Sequence, residues 1–184
     1  MTLYYLAFQN TTSPNNTAYT WNSFTTPATS LSTGLLDSVG GASSIALGLT
    51  SYIPSKASFG VNAVGTGAAS WVNQAVISEG GWYTSQTYNI IVMRFSGLDN
   101  AKVYDFSIFG SRASAANAFT LNTQIGATTK SLSTSMNSTL TTEFTDIAPS
   151  SGIIDLTFTT NTSQSGFISA IRVTERVFNP YSVD

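Results

Sequence analysis

Strict two-residue alternation, broken at short intervals by turn residues, is the feature that most restricts how this chain folds. In KVYDFSIFG, residues 102–110, Tyr104, Phe106 and Ile108 fall on one side and Asp105 and Ser107 on the other. A period of two suits a strand with one buried face and suits no helix. The pattern recurs in SSIALGLT (Ile45, Leu47, Leu49), NAFTLNT (Phe119, Leu121) and GIIDLTFTT (Ile154, Leu156, Phe158). GFISAIRVTE points Phe167, Ile171 and Val173 one way, and LYYLAF and EFTDI read as short strands. YNIIVMRF, residues 88–95, is apolar on both faces, as in a central strand.

The intervening segments carry turn chemistry. GLDN, between YNIIVMRF and KVYDFSIFG, predicts a hairpin joining the two. APSSG and NTSQSG are turn segments. WNSFTTPATSLSTGLLDSVGG is irregular, with Pro27, Gly34 and Gly40-Gly41 as breakers. Residues 51–87 have weak periodicity and read as long loops with one short strand or a turn of helix. Seven or more strands, with turns about every 8–14 residues, predict an all-β, antiparallel β-sandwich. The expected organisation is one domain over 1–177, with 178–184 leaving at Pro180 as a C-terminal tail or arm.

Composition agrees. Charged residues are 9 % and hydrophobic residues 42 %, and Ser, Thr and Asn supply roughly a third of the chain. These polar residues suit strand faces and turns better than helix interiors. The same composition removes several function classes. A net charge of −2 with no basic run argues against nucleic acid. No apolar run approaches the length of a membrane helix, so no membrane insertion is expected. With no cysteine and no histidine, there is no thiolate site, no Ser-His or Cys-His pair and no usual zinc ligand. No cofactor and no metal are expected.

Nine acids are scattered singly along the chain. Carboxylate-pair hydrolysis needs two of them about 5–10 Å apart in a cleft. Asp105 and Asp155, both mid-strand on polar faces, are the pair that a shared sheet would make neighbours. Asp37, Asp99 and Asp146 sit in turns, where Asx hydrogen bonding is the ordinary role. The expectation is a protein that is not an enzyme. Four Asn-x-Ser/Thr sequons, at Asn10, Asn15, Asn137 and Asn161, carry little weight in so Ser/Thr-rich a chain.

The second half supplies a resemblance. FSGLDNAKVYDFSIFGSR, AFTLNT, MNSTLTTEFTDIAPSSGIIDLTFT and GFISAIRVTE, in that order, are similar to a galactose-binding-like jelly-roll module of bacterial extracellular and phage structural proteins. Trp21-Asn22 and LLDSVGG fit its first half more loosely, so the resemblance covers about residues 20–175. It implies a sandwich that binds carbohydrate through loops at one end, often beside a structural calcium. The chain departs from the pattern where an acidic residue precedes the central strand: Glu79 is the single candidate there, and no Asp/Asn cluster is dense enough to predict calcium.

Sugar sites pair aromatic faces with a few planar polar groups. Trp71, Trp82 and Tyr83 lie in the loop-rich middle and are the candidate stacking residues, with Glu79 and Arg112 as polar partners. Each has a structural alternative: the aromatics cover the end of the core, and Arg112 braces the loop after its strand. Trp21 is expected to pack in the core.

The function expected from these features is a structural protein of a bacteriophage virion, as a decoration, spike or tail component. It would sit at the virion surface as a homo-oligomer among other virion or surface proteins, with weak contact to a cell-surface glycan. An exported-type composition on a chain starting at Met1 without a signal peptide motivates that expectation. The alternative is a carbohydrate-binding module of a secreted bacterial protein.

Overall fold

The computed structural model describes residues 1–8, 19–51, 54–57, 60–78, 80–84, 90–160 and 165–178. In chain order its strands are β1 (Thr2–Phe8), β2 (Trp21–Phe24), β3 (Ser30–Ser32), β4 (Ala46–Leu49), β5 (Ser55–Ala57), β6 (Gly81–Thr84) and β7 (Ile90–Ser96). Then come β8 (Lys102–Phe109), β9 (Thr120–Ile125), β10 (Thr128–Ser133), β11 (Thr142–Ile147), β12 (Ile154–Thr160), β13 (Gly166–Ile168) and β14 (Ala170–Val177). A 3-10 turn at Gly67–Ala69 and a short helix, α1 (Gln74–Ser78), precede β6.

Two large sheets form the sandwich. One runs β11-β8-β14-β1-β2 and the other β10-β9-β12-β7-β4-β3; β13-β6-β5 makes a small third sheet. Among the described residues, all pairings between these strands are antiparallel except β1 with β2. The all-β sandwich predicted from alternation is therefore the fold.

The inner faces are the ones the alternation marks. Tyr104, Phe106 and Ile108 from β8 and Ile171 and Val173 from β14 meet Leu47, Leu49, Met93, Phe95, Leu156 and Phe158 from the opposite sheet. Phe95 and Phe106 touch edge to face across the interface, centroids 5.4 Å apart. Each fully buried side chain of this size contributes about 1.5–3 kcal/mol of hydrophobic transfer energy.

Four expectations need correction. GLDN does not turn a hairpin: β7 pairs with β12 and β4, and β8 with β11 and β14, so the segment carries the chain from one sheet to the other. Alternation reports which face is buried but not which sheet a strand joins. Leu98 fills the core beneath this crossover, and the Asp99 N–H donates to the Tyr104 hydroxyl at 2.9 Å. Gly97 is required there, at φ 73°, because a Cβ would lie 2.2 Å from the Ser44 carbonyl oxygen.

Asp105 and Asp155 are not sheet neighbours. They sit on β8 and β12, on the outer faces of opposite sheets. GFISAIRVTE is not one strand either. It breaks at Ser169, whose N–H donates to Phe109 O and whose carbonyl accepts from Phe8 N–H, both at 2.9 Å. The break shifts the side-chain parity, so Ile168, rather than Phe167, shares the main core with Ile171 and Val173. Finally, β7 is central in its sheet but apolar on one face only. Ile91, Met93 and Phe95 are buried, whereas Ile90 is exposed and Val92 and Arg94 are half-buried.

Strands β2, β3 and β10 lie where no alternation was marked. They are edge strands, and they need no continuous buried face. Phe178 is exposed just beyond β14, and the rest of the expected tail, 179–184, lies outside the described residues.

Candidate functional site

The residues expected to form a sugar site separate into three places. Trp82, in β6, is fully buried in the main core, 4.9 Å from the Phe8 ring. Neither face of its indole is open to a ligand. Tyr83 points the other way and lies 5.7 Å from Phe167, its register partner on β13. Arg112 reaches the same ring, its guanidinium carbon 5.4 Å from the centroid, and Phe119 meets Phe167 edge to face. Tyr83 and Arg112 are thus brought together on Phe167. Trp71 belongs to a separate cluster, and Glu79 lies outside the described residues.

The ending Gly110-Ser111-Arg112 is tied down by the loop after β10. Arg112 N–H donates to Thr134 O and Arg112 O accepts from Met136 N–H, both at 2.8 Å. Asn137, nearly buried, donates to Gly110 O and Leu140 O and accepts from the Thr139 and Leu140 N–H groups. The Ser111 hydroxyl donates to Asn137 O at 2.7 Å. A Cβ on Gly110 would collide with the Phe167 carbonyl, so only glycine lets β13 approach this closely.

Most acids on the sheets are held by cations, Glu143 by the Ser107 and Thr141 hydroxyls instead. Asp155 takes two hydrogen bonds from Arg94, at 2.8 and 2.7 Å. Glu175 accepts from Lys102 at 2.7 Å and from the Tyr104 hydroxyl at 3.3 Å. Arg176 binds Asp105 through two bonds and Asp146 through a third. Burial opposes ionisation of Asp105, but the bonds from Arg176 and from the Asp146 N–H, together with the arginine charge, outweigh it and hold the carboxyl below its ordinary range. Asp37 and Asp99 accept from backbone N–H groups two residues on, as Asx turns require. Asp146 differs from expectation: it lies at a bulge in β11 with φ 57° and serves Arg176. Among the described residues no three His, Cys, Asp or Glu side chains gather as a metal site.

A cleft of about 590 Å³ opens between the β9–β10 turn and the β11–β12 connection. Ile125, Ile147, Ile153 and Ile154 supply its apolar lining, with Asp146 and Asp155 contributed by opposite sheets. Both carboxylates are already bonded to arginine, so neither stands ready as a free base.

The outer face of the five-stranded sheet holds a different arrangement. Tyr5 on β1 is the register partner of both Arg172 on β14 and Trp21 on β2, so the three form one row across the sheet. Trp71, from the loop before α1, covers this row. Its ring stacks on Trp21 at 6.2 Å, lies 6.1 Å from Tyr5, and receives the Arg172 guanidinium at 5.3 Å. Tyr19 stacks on Tyr5 at 4.5 Å and is the exposed outermost ring. The cluster is built from aromatic packing, but its polar atoms are not satisfied. Trp21 Nε1, Trp71 Nε1 and Arg172 Nε are all shielded from solvent with no acceptor. Such orphaned donors are rare in native structures, because each forfeits its hydration without replacement.

Residue type points to Trp71, and Trp21, expected to pack, is stacked on it; Tyr5, Tyr19 and Arg172 carry no such signal. The alternation in LYYLAF does put Tyr5 opposite Tyr4. Nothing local signals that strands 1, 2 and 14 become neighbours.

Sheets, core and faces together define an all-β, antiparallel sandwich. No family model, no curated protein and no solved structure matches the chain. No helix among the described residues is long and apolar enough to cross a membrane.

Proposed function

We propose that this protein is a structural β-sandwich of a bacteriophage particle surface, a decoration, spike or tail component that acts by contact rather than catalysis. The observation that carries the reading is the treatment of the sheet edges. β11 and β3 are bulged, and β10 carries Lys130 among exposed Thr128, Thr129, Ser131 and Ser133. At β2, the Asn22 side chain exchanges hydrogen bonds with both backbone groups of Leu36 and so ties that segment against the edge strand. Bulges, lysine and covered backbone all discourage open-ended strand addition. Contact with neighbours is then left to the hydroxyl-rich faces and loops, where few charges must be desolvated. The galactose-binding-like resemblance fits this role. Partners are other virion or surface proteins and further copies of the chain.

Light scattering of the purified protein and electron cryomicroscopy of the particle test this. A symmetric oligomer with matching density on the virion supports it. A monomer at high concentration, absent from any particle, removes it.

The second reading is a carbohydrate-binding module of a secreted protein. The unsatisfied aromatic row of Tyr5, Trp21, Trp71 and Arg172 favours it, since stacking faces beside unused donors are what sugar sites are made of.

A further inference from the structure

We propose that the row on the outer face of the five-stranded sheet is a site for a carboxylate-bearing sugar, a hexuronate unit of an acidic polysaccharide, with Arg172 as the carboxylate anchor. The proposal rests on the carbohydrate-contacting reading and adds the ligand's charge and place.

Three observations lead to it. First, Arg172 has no carboxylate partner among the described residues. Its neighbours across the sheet are already committed: Asp105 to Arg176, and Glu143, on β11, to the Ser107 and Thr141 hydroxyls. Arg172 instead lies over the Trp71 ring, with Nε buried and unpaired. Asp105 acts on Arg172 through space but is bonded to Arg176, and a guanidinium with no directly bonded carboxylate, set over an indole, presents a planar donor edge matched to one.

Second, the unpaired donors are neighbours. The indole N–H groups of Trp21 and Trp71 belong to the same stack as Arg172, so three N–H groups in one cluster lack acceptors. A ligand supplying several oxygens satisfies a need that an apolar ligand leaves unmet, and a neutral sugar gives Arg172 no direct ion pair.

Third, Tyr19 offers an exposed ring at the edge of the stack, 4.5 Å from Tyr5. Ring faces of this kind pack on the C–H patches of a pyranose. Because the three nitrogens are shielded, binding must open the stack, and Tyr19 is the outermost ring to move. No bond forms or breaks.

The test is titration of the full chain with galacturonate, glucuronate and mannuronate tetrasaccharides and with neutral cellotetraose. It is read by calorimetry and by the indole N–H resonances. One of the uronates is expected to bind and to shift the Trp21 and Trp71 resonances, with Trp82 unmoved as the internal control. Arg172→Gln should weaken that binding about tenfold or more, and Trp71→Phe, which deletes the donor and leaves a smaller aromatic ring, several-fold. Added salt should weaken it as well. If cellotetraose binds at Trp21 and Trp71 as well as the uronates do, the carbohydrate reading survives and the carboxylate assignment is overturned. If no oligosaccharide perturbs either resonance, both are overturned. The wild-type spectra decide between these outcomes even where a variant folds poorly.

Discussion

Arg176 grips Asp105 side-on, Nε to Oδ2 at 2.7 Å and a terminal nitrogen to Oδ1 at 2.8 Å, on the outer face of the β8–β14 pair. The same guanidinium reaches Asp146 at 2.9 Å, so one cation organises two strands and the bulge of a third.

That geometry sets an acid limit. The native Asp105 carboxyl is held below its ordinary value, which is about 3.9 in an unfolded chain. Stabilisation by the pair is therefore complete above about pH 4 and is lost as pH falls through the lower native value. Thermal melts from neutral to strongly acid pH should show this decline, and Asp105→Asn should flatten it. Arg176→Met should cost about 1–2 kcal/mol at neutral pH, the pair being partly exposed.

An alkaline limit follows from Tyr104. Burial, with the Glu175 charge adding to it and the Asp99 N–H opposing, pushes its hydroxyl up to about 12. The native state then holds the proton more tightly than the unfolded chain. Stability should be full below about pH 10 and drain away between there and about pH 12. Tyrosinate absorbance followed alongside circular dichroism should show the Tyr104 signal arriving with unfolding. Tyr104→Phe should cost about 1 kcal/mol at neutral pH through the stranded Asp99 N–H, and should lessen the alkaline loss.

Trp82 and Trp71 should separate experimentally. Trp82→Ala empties part of the main core and should lower stability by about 3–5 kcal/mol. Denaturant unfolding measures that loss, and any weakening of glycan contact in Trp82→Ala should follow the unfolded fraction alone. Trp71→Phe, which removes less buried volume, should lower the midpoint by less than Trp82→Ala while altering the outer-face cluster. Equal behaviour of the two variants in both assays would contradict their placement in different clusters.

Asn137 is a keystone despite lying in a sequon. Its amide makes four hydrogen bonds, one to Gly110 O at the strand ending and three that shape its own loop at Thr139 and Leu140. Asn137→Ala should cost about 2–3 kcal/mol, from several stranded backbone groups at a nearly buried position. In a glycosylating host the folded protein should carry no sugar at Asn137, which peptide mass mapping reads directly.

The parts of the fold legible in the sequence are those written in local periodicity. Tyr104, Phe106 and Ile108, the Ile45-Leu47-Leu49 set and the Ile154-Leu156-Phe158 set all lie in the main core as their alternation indicates. Edge strands such as Ser30–Ser32 and Thr128–Ser133 bury too little to leave that mark. The candidate site was less legible. Trp71 and Trp82 are alike in residue type, yet one lies on an outer face and the other in the core. Composition cannot separate them.

By itself, then, the sequence determined that this chain is a β-sandwich poor in charge and lacking histidine and cysteine, because side-chain alternation and residue chemistry are local properties. Tertiary structure alone decided which strands are neighbours. Pairing across long stretches of chain turned Gly97–Asn100 into a sheet-to-sheet crossover and sent Asp105 and Asp155 to opposite faces. It also aligned Arg172, Tyr5 and Trp21, residues far apart in sequence, in one row. Register between distant strands is fixed by packing the whole core at once, and no single segment carries that information.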